Sequence, residues 1–217
     1  MIKGKGNKRE CVFNMNRGCF LTGLLELSLV LNTELVQREY EEEEVKIVYI
    51  GQNMKVFLED GYIELIKGSE YTLPRWLAKY LAEKGLAKIS EAPIEENIVA
   101  RLQFNESRSK GQLKFEKLQG YFYTRIKEQI IETIKTLFKE ISDISRVQQV
   151  LQSYSRMESM TRELYRTRLS KILNILTSEV SPEILSNLSE EEKQLYHSLK
   201  TVIDTYNSRV FDFREKR

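Results

Sequence analysis

Groups able to do chemistry at neutral pH are scarce in this chain. It has one histidine, His197, and two cysteines, Cys11 and Cys19. A side-chain nucleophile needs a base within reach, and histidine is the commonest one. Any Ser/His/Asp or Cys/His arrangement would therefore have to be built on His197. That residue lies in a helical pattern beside Tyr196 and Leu199, which reads as a rim or surface position. No CxxC or HxxxH spacing offers zinc ligands. Gly4 and Gly6 lack the flanking strand and helix that a phosphate loop requires. The acidic run Glu41 to Glu44 reads as a solvated linker rather than a cation site. No carboxylate sits in the apolar surround that would tune it as an acid or base. These absences predict a protein that is not an enzyme, with no cofactor and no metal.

The bulk properties are those of a helix-rich globular protein. Of 217 residues, 41% are hydrophobic and 30% charged, with a net charge of +2. That length suits one large domain or two small ones. Charge is uneven, however. Residues 101–180 hold 15 Lys/Arg against 9 Asp/Glu, which leaves room for a weak nucleic-acid contact. Two thiols without a disulfide framework suit a reducing, cytoplasmic setting.

The elements that must position any functional residue can be read in order. Residues 1–44 form an N-terminal extension, either a short helix or unstructured. Its basic head, with Lys3, Lys5, Lys8, Arg9 and Arg17, precedes an apolar run over 19–31. That order resembles a signal peptide, but Glu26 interrupts the run and no small-residue cleavage site follows. The run is too short to span a bilayer, so a short helix or an upstream leader is expected, and no membrane partner. Residues 45–92 read as a small β-rich domain: strands over 45–50, 54–58 and 62–66, with an Asp60-Gly61 turn signal. Pro74 then opens a short helix that ends at Gly85, and a last short strand covers 86–89. Residues 93–112 read as a linker with a short helix over 94–104 and a polar hinge over 105–111.

Residues 113–210 read as a long-helix bundle, followed by a tail over 211–217. Apolar residues recur every three or four positions from Phe115 to Ile141, and again from Ile144 to Leu176, the helical period. Ser142-Asp143 marks the break between them. Each half would be a helix of roughly 40 Å. Ser181-Pro182 and then Ser189 to Glu192 carry cap and capping-box spacing for two further helices. The fold class is α+β, mostly α: a small N-terminal β-rich domain before a long-helix bundle. Long helices with one apolar stripe each cannot hide that stripe alone. Surplus apolar surface predicts contact with another chain. The expected interface anchors are Phe115, Tyr121, Phe122 and Tyr123 at one helix end and Met157, Leu164 and Tyr165 on the next helix. The sole tryptophan, Trp76, is added on the β-rich domain.

Four stretches resemble subunits of the archaeal and eukaryotic GINS complex. Lys67-Gly-Ser-Glu-Tyr-Thr-Leu-Pro-Arg-Trp-Leu-Ala-Lys-Tyr-Leu-Ala-Glu-Lys-Gly-Leu-Ala resembles that family's β-domain, with a Gly turn, a Leu-Pro opening of a short helix, then Gly and Ala. Leu118-Gln-Gly-Tyr-Phe-Tyr-Thr, then Arg162 to Leu173, then Leu188 to Tyr196, resemble its helical domain in order. The likeness covers about residues 45–208. Its β-first order resembles the class of the second and third eukaryotic subunits. The resemblance implies an archaeal, non-catalytic scaffold that pairs with the opposite-domain-order GINS subunit as a dimer of dimers, a heterotetramer. It also implies that the assembly joins the replicative MCM helicase to a RecJ-like protein in DNA replication.

The residues also admit two other classes. A DNA-binding transcriptional regulator would use 45–89 as a winged-helix-like module and the long helices as a dimerisation arm. Its recognition helix, Pro74 to Lys84, offers only Arg75, Lys79 and Lys84 for base reading. A membrane-associated factor would use residues 19–31.

Overall fold

In a computed structural model of the chain, the described residues are 17–58, 61–109, 111–139 and 144–211. The basic head before Arg17, with Cys11, lies outside them. So do the Glu59-Asp60 half of the expected turn, the Ser142-Asp143 break and the tail beyond Phe211. The element order is α1 (Arg17–Glu42), β1 (Glu44–Tyr49), β2 (Met54–Leu58), β3 (Gly61–Leu65), β4 (Glu70–Pro74), α2 (Arg75–Glu83), β5 (Ala87–Ile89), α3 (Glu96–Arg108), α4 (Phe122–Lys139), α5 (Ile144–Ile175), α6 (Pro182–Ser186) and α7 (Glu190–Val210). The fold is α+β and mostly α, with strands first and helices after.

The chain falls into two units, one ending at Leu35 and one running from Val36 to the C-terminus. In the first, Leu27, Val30, Leu31 and Leu35 on α1 are exposed. The expected short helix over 19–31 is instead part of a helix of 26 residues. It carries on through Glu39, Glu41 and Glu42, so half of the expected acidic linker is helical.

In the second unit, the strands make an antiparallel sheet in the order β4-β1-β5 and a separate β2-β3 hairpin. Strand β1 alternates, with Val45, Ile47 and Tyr49 buried between more accessible neighbours. That period of two places its apolar side against α2, whose Leu77, Ala78 and Leu81 complete the core with Leu65 and Leu73. Tyr49 also fixes the next turn, because its hydroxyl donates to the Gln52 carbonyl at 2.6 Å. A Cβ at Gly51 would stand 2.7 Å from that hydroxyl and from Leu86 Cδ2, so any other residue there must displace one of these two side chains. Pro74 ends β4 as the residue before α2, at φ −54° and ψ 140°; the expected first helical position falls to Arg75. Gly85, at φ +69°, stops the helix as expected.

The helical region departs from its sequence reading in two places. Helix α3 does not end at Phe104. It runs to Arg108, through residues expected to form a hinge. Helix α4 does not start at Phe115. Tyr121 sits at φ +54° behind Gly120, and the chain before it is not helical. A left-handed non-glycine residue cannot continue a right-handed helix, so α4 is 18 residues long rather than about 27. Phe115 and Leu118 keep their helical spacing but reach the core from a segment that is neither helix nor strand.

One buried ionic hub accounts for both departures. Arg168 on α5 and Glu106 on α3 are fully buried, and Glu192 on α7 nearly so. Arg168 donates from Nε and Nη2 to the two oxygens of Glu192, each at 2.7 Å, and from Nη1 to Glu106. Lys171 also pairs with Glu106. The same groups hold the segment before α4. The Glu116 amide donates to Glu106 at 2.8 Å. The carbonyl of Glu116 accepts from Arg168 at 2.9 Å, and that of Lys114 accepts from Lys171 at 2.9 Å. Two cations and two carboxylates balance, and backbone groups take up their remaining hydrogen bonds. That is the condition for burying charge without a large loss. The expected capping box at α7 forms, Ser189 with Glu192, and Glu192 serves the cap and the hub together. Apolar clusters flank the hub on both sides: Leu118, Phe122, Ile126, Met157 and Leu164 on one, Phe115, Ile172, Ile175, Leu188 and Tyr196 on the other.

Removing Arg168 alone leaves two buried carboxylates with one cation. Arg168→Met should cost about 3–5 kcal/mol in denaturant unfolding. By contrast, Arg162→Ala, which breaks an exposed pair with Glu158 on α5, should cost less than about 1 kcal/mol. Equal losses in the two variants would show that the hub does not hold the fold.

Candidate protein interaction surfaces

Of the eight expected anchors, four are spent inside the chain. Phe115, Phe122, Met157 and Leu164 are at most 3% exposed and belong to the two helical clusters. The helical period marks the apolar stripe but not which neighbour covers it, and here the chain's own α3, α5 and α7 cover it. These four are core residues rather than partner contacts.

The remaining four reach the surface to different degrees. Tyr121 and Tyr123 are half-buried. The Tyr123 hydroxyl donates to Glu192 at 2.6 Å, so it is tied to the hub. Burial first, and then the Glu192 charge, push its pKa above the ordinary tyrosine value. Its ring meets Phe122 and Tyr165 edge-on, with centroids 5.5 and 5.4 Å away. Tyr165, at 37% exposure, is the accessible end of that aromatic row. Trp76 is 48% exposed and Tyr80, one turn on, is 54%. Both stand on the side of α2 away from its core contacts.

One unfinished surface lies at the far ends of α4 and α5. Among the described residues, no side chain between Ile126 and Met157 is buried. Ile130, Ile134 and Leu137 on α4, with Val147, Val150 and Tyr154 on α5, are only half-buried. Thr133 and Tyr154 bridge the two helices by a 2.9 Å hydroxyl contact. Ile131 and Leu151 are each 40% exposed. The start of α3 reaches α5 at Ser153 and Arg156 through Glu96; beyond that contact, helices packed mainly on each other leave apolar side chains without a full third layer. Residues 144–155 contain one charged residue, Arg146, where the chain average would give three or four. Depletion of charge around apolar side chains marks the centre of an interface.

A second functional feature escaped the sequence reading: a polar seam between the β-rich region and α4. Tyr40, at the end of α1, is 1% exposed. The Arg75 guanidinium lies 4.3 Å from the centre of its ring, with Lys79 at 5.0 Å and Arg125 at 5.7 Å. Its hydroxyl donates to Glu128 at 2.7 Å, and its ring meets that of Tyr121 at 5.4 Å. Burial, then the bond to Glu128, raise its pKa well above the usual phenol range. Arg75 pairs with Glu43 at 2.7 Å and Glu91 at 2.6 Å. Burial opposes its charge, but these two bonds outweigh that and push its pKa up. Arg125 donates to both oxygens of Glu43 at 2.6 Å and pairs with Glu91. Arg75 and Lys79 are thus committed to carboxylates, and Arg75 is 3% exposed, so α2 is not equipped to read bases. The only sequence signal for the seam was the acidic run at Glu39 to Glu44, which is as common in solvated linkers.

Among the described residues, no group of three or more His, Cys, Asp or Glu could hold a metal ion. No helix there is long and apolar enough to cross a membrane.

Residues 93–211 match the Sld5 family, described as the GINS complex protein helical bundle domain. The match spans more than half of the chain, and the chain belongs to this family of GINS complex subunits, which serve DNA replication. Its strands precede the matched helices, so the β-first order is present. No curated protein matches the chain.

Burial works against the Glu91 carboxylate, but hydrogen bonds from Arg75 and then Arg125 outweigh it and hold its pKa below the ordinary glutamate value. A depressed folded value means that Glu91 contributes its full stability above the unfolded value, near 4.5. That contribution is lost as pH falls through the folded value. Glu91→Gln should therefore flatten the fall of unfolding free energy below about pH 4.5. Urea titrations at a series of acidic pH values check this; parallel pH profiles in the variant and wild type would contradict it.

Proposed function

We propose that this chain is a non-catalytic assembly subunit. In this reading it pairs with a GINS subunit of the opposite domain order, and two such pairs close a heterotetramer. The assembly scaffolds the replicative MCM helicase and a RecJ-like partner, as the archaeal form of the resemblance implies, in a cytoplasmic setting. One observation carries the reading: the uncovered distal ends of α4 and α5, where no side chain between Ile126 and Met157 is buried among the described residues. A standard interface hides about 800 Å² per partner and rests on a few large side chains. Ile131 and Leu151 are the central candidates there. Tyr165 and Trp76 are candidates for further contacts on other faces. The surplus of Lys/Arg over residues 101–180 adds room for a weak nucleic-acid contact alongside.

The domain division that serves this role is an extension to residue 44, a β-rich domain over 45–92, a linker to 112 and a bundle over 113–210. The β-rich domain then stands clear of the subunit interface and is the part offered to a further partner.

Ile131→Asp combined with Leu151→Asp tests the interface. Both side chains are partly exposed already, so unfolding free energy should shift by no more than about 1 kcal/mol. Affinity for the co-expressed opposite-order subunit should fall by more than about tenfold, the effect of losing a hot spot. Light scattering after size-exclusion chromatography would show separate subunits in place of a tetramer. Undiminished assembly by the double variant would overturn the assignment of this surface.

A further inference from the structure

We infer that the β-rich region is fastened to the helical region by an ionic latch centred on Arg125, and that screening its charges frees the β-rich region to pivot without unfolding. Three observations on the second unit carry this. First, apolar burial does not join the two regions. One core cluster draws only on residues 45–89, the other two only on residues 94–203. No apolar cluster spans the seam among the described residues.

Second, the bonds that cross the seam converge on one face of α4. Arg125 and Glu128 are spaced at i and i+3, so their side chains share that face, and the ring of Tyr121, the residue before α4, meets Tyr40 beside them. Opposite them, Tyr40 to Glu43 are bound to α2: Lys79 pairs with Glu41 at 2.8 Å, and the Arg75 amide donates to the Glu43 carbonyl at 2.8 Å. Arg125 takes Glu43 and Glu91, and Glu128 takes Lys79 and Tyr40. Three cations face four carboxylates, with a ring stack as the remaining contact.

Third, ions can reach the latch. The side chains of Glu41, Glu43, Glu91 and Glu128 are between 26% and 36% exposed. An open cleft of about 330 Å³ runs along the seam beside Tyr40, Arg75, Arg125 and Glu128. Arg75 and Arg125 are themselves 3% and 9% exposed, so their pairs are screened less than surface pairs, and it takes salt near 1 M, where the screening length falls from about 10 Å to about 3 Å, to weaken them from the carboxylate side. The hub at Arg168, fully buried, keeps its pairs under the same conditions. The irregular segment 90–95, between β5 and α3, is the natural pivot. The latch stands on its own, whether or not the distal ends of α4 and α5 meet a partner.

The test uses the full chain with Cys11 and Cys19 replaced by serine and spin labels on cysteines introduced at the exposed positions Lys88 and Lys127. Pulsed electron–electron resonance in 0.05 M NaCl should give one narrow distance. In 1 M NaCl the distribution should widen by about twofold or more, while the helical circular dichroism signal stays constant. Arg125→Gln should be broad already in 0.05 M NaCl, and Glu91→Gln should lie between it and the wild type. Arg125→Lys, which keeps the charge but not the fork, should be narrow at low salt and widen at lower salt than wild type does. A distance that stays narrow in 1 M NaCl and in Arg125→Gln would overturn the latch. Widening that comes with loss of helical signal in both glutamine variants would overturn it equally, since the pairs would then hold the fold and not a seam.

Discussion

Everything in the helical region is arranged around the need to satisfy Arg168. A guanidinium with no exposure must have carboxylate and carbonyl partners, because a lone buried charge costs several kcal/mol. Its partners come from α3, α7 and the segment before α4, so one side chain requires three separate stretches of chain to converge. That requirement explains why α3 must extend as far as Glu106 and why residues 114–118 stay non-helical, with the backbone of Lys114 and Glu116 bound to the hub. The left-handed turn at Tyr121, a conformation costing of order 1–3 kcal/mol in a non-glycine residue, is the consequence of redirecting the chain from that segment into α4.

Burial separates the hub from the seam, although both are built from the same residue types. The hub is closed on all sides by two apolar clusters, and its carboxylates are taken up by amide, hydroxyl and guanidinium donors. The seam has no apolar closure and lies beside an open cleft. The first therefore specifies one arrangement of helices, whereas the second specifies one placement of the β-rich region only while its pairs hold. Tyr40 belongs to both descriptions in part. It is buried like a core residue, yet its ring faces three cations rather than aliphatic neighbours.

Much of the architecture was legible in the sequence, because periodicity reports it directly. The alternation at Val45, Ile47 and Tyr49, the α2 spacing of Leu77 and Leu81, and the capping box at Ser189 and Glu192 all appear where the sequence places them. Long-range polar pairing was not legible. Glu106 stands among Asn, Ser, Arg and Lys, a composition typical of loops, and nothing local reveals that Arg168, sixty-two positions on, makes it a core residue. Glu43 was hidden for the converse reason: an acidic run is ordinarily solvated, and only the fold brings Arg75 and Arg125 to it. The apolar stripe was read correctly as a stripe, but periodicity carries no information on which partner covers each turn. Phe115, Phe122, Met157 and Leu164 were consequently offered to a second chain when their own chain takes them.

That allocation bears on the assembly reading. The apolar side chains nearest the hub are used up internally, and those farthest from it, beyond Ile126 on α4 and before Met157 on α5, are not. A stripe that stays in period past the reach of its own core costs solubility unless something covers it. The pattern also changes chemically at the same place: around the hub the helices carry paired charges, whereas residues 144–155 turn to glutamine and serine with a single arginine. Neutral polar side chains lose less than charged ones on being desolvated, so this composition suits a surface that is wet in the free subunit and dry in the complex. Membership of a family of complex subunits calls for a partner surface, and the place where the chain runs out of its own covering layer is where the proposed interface is set.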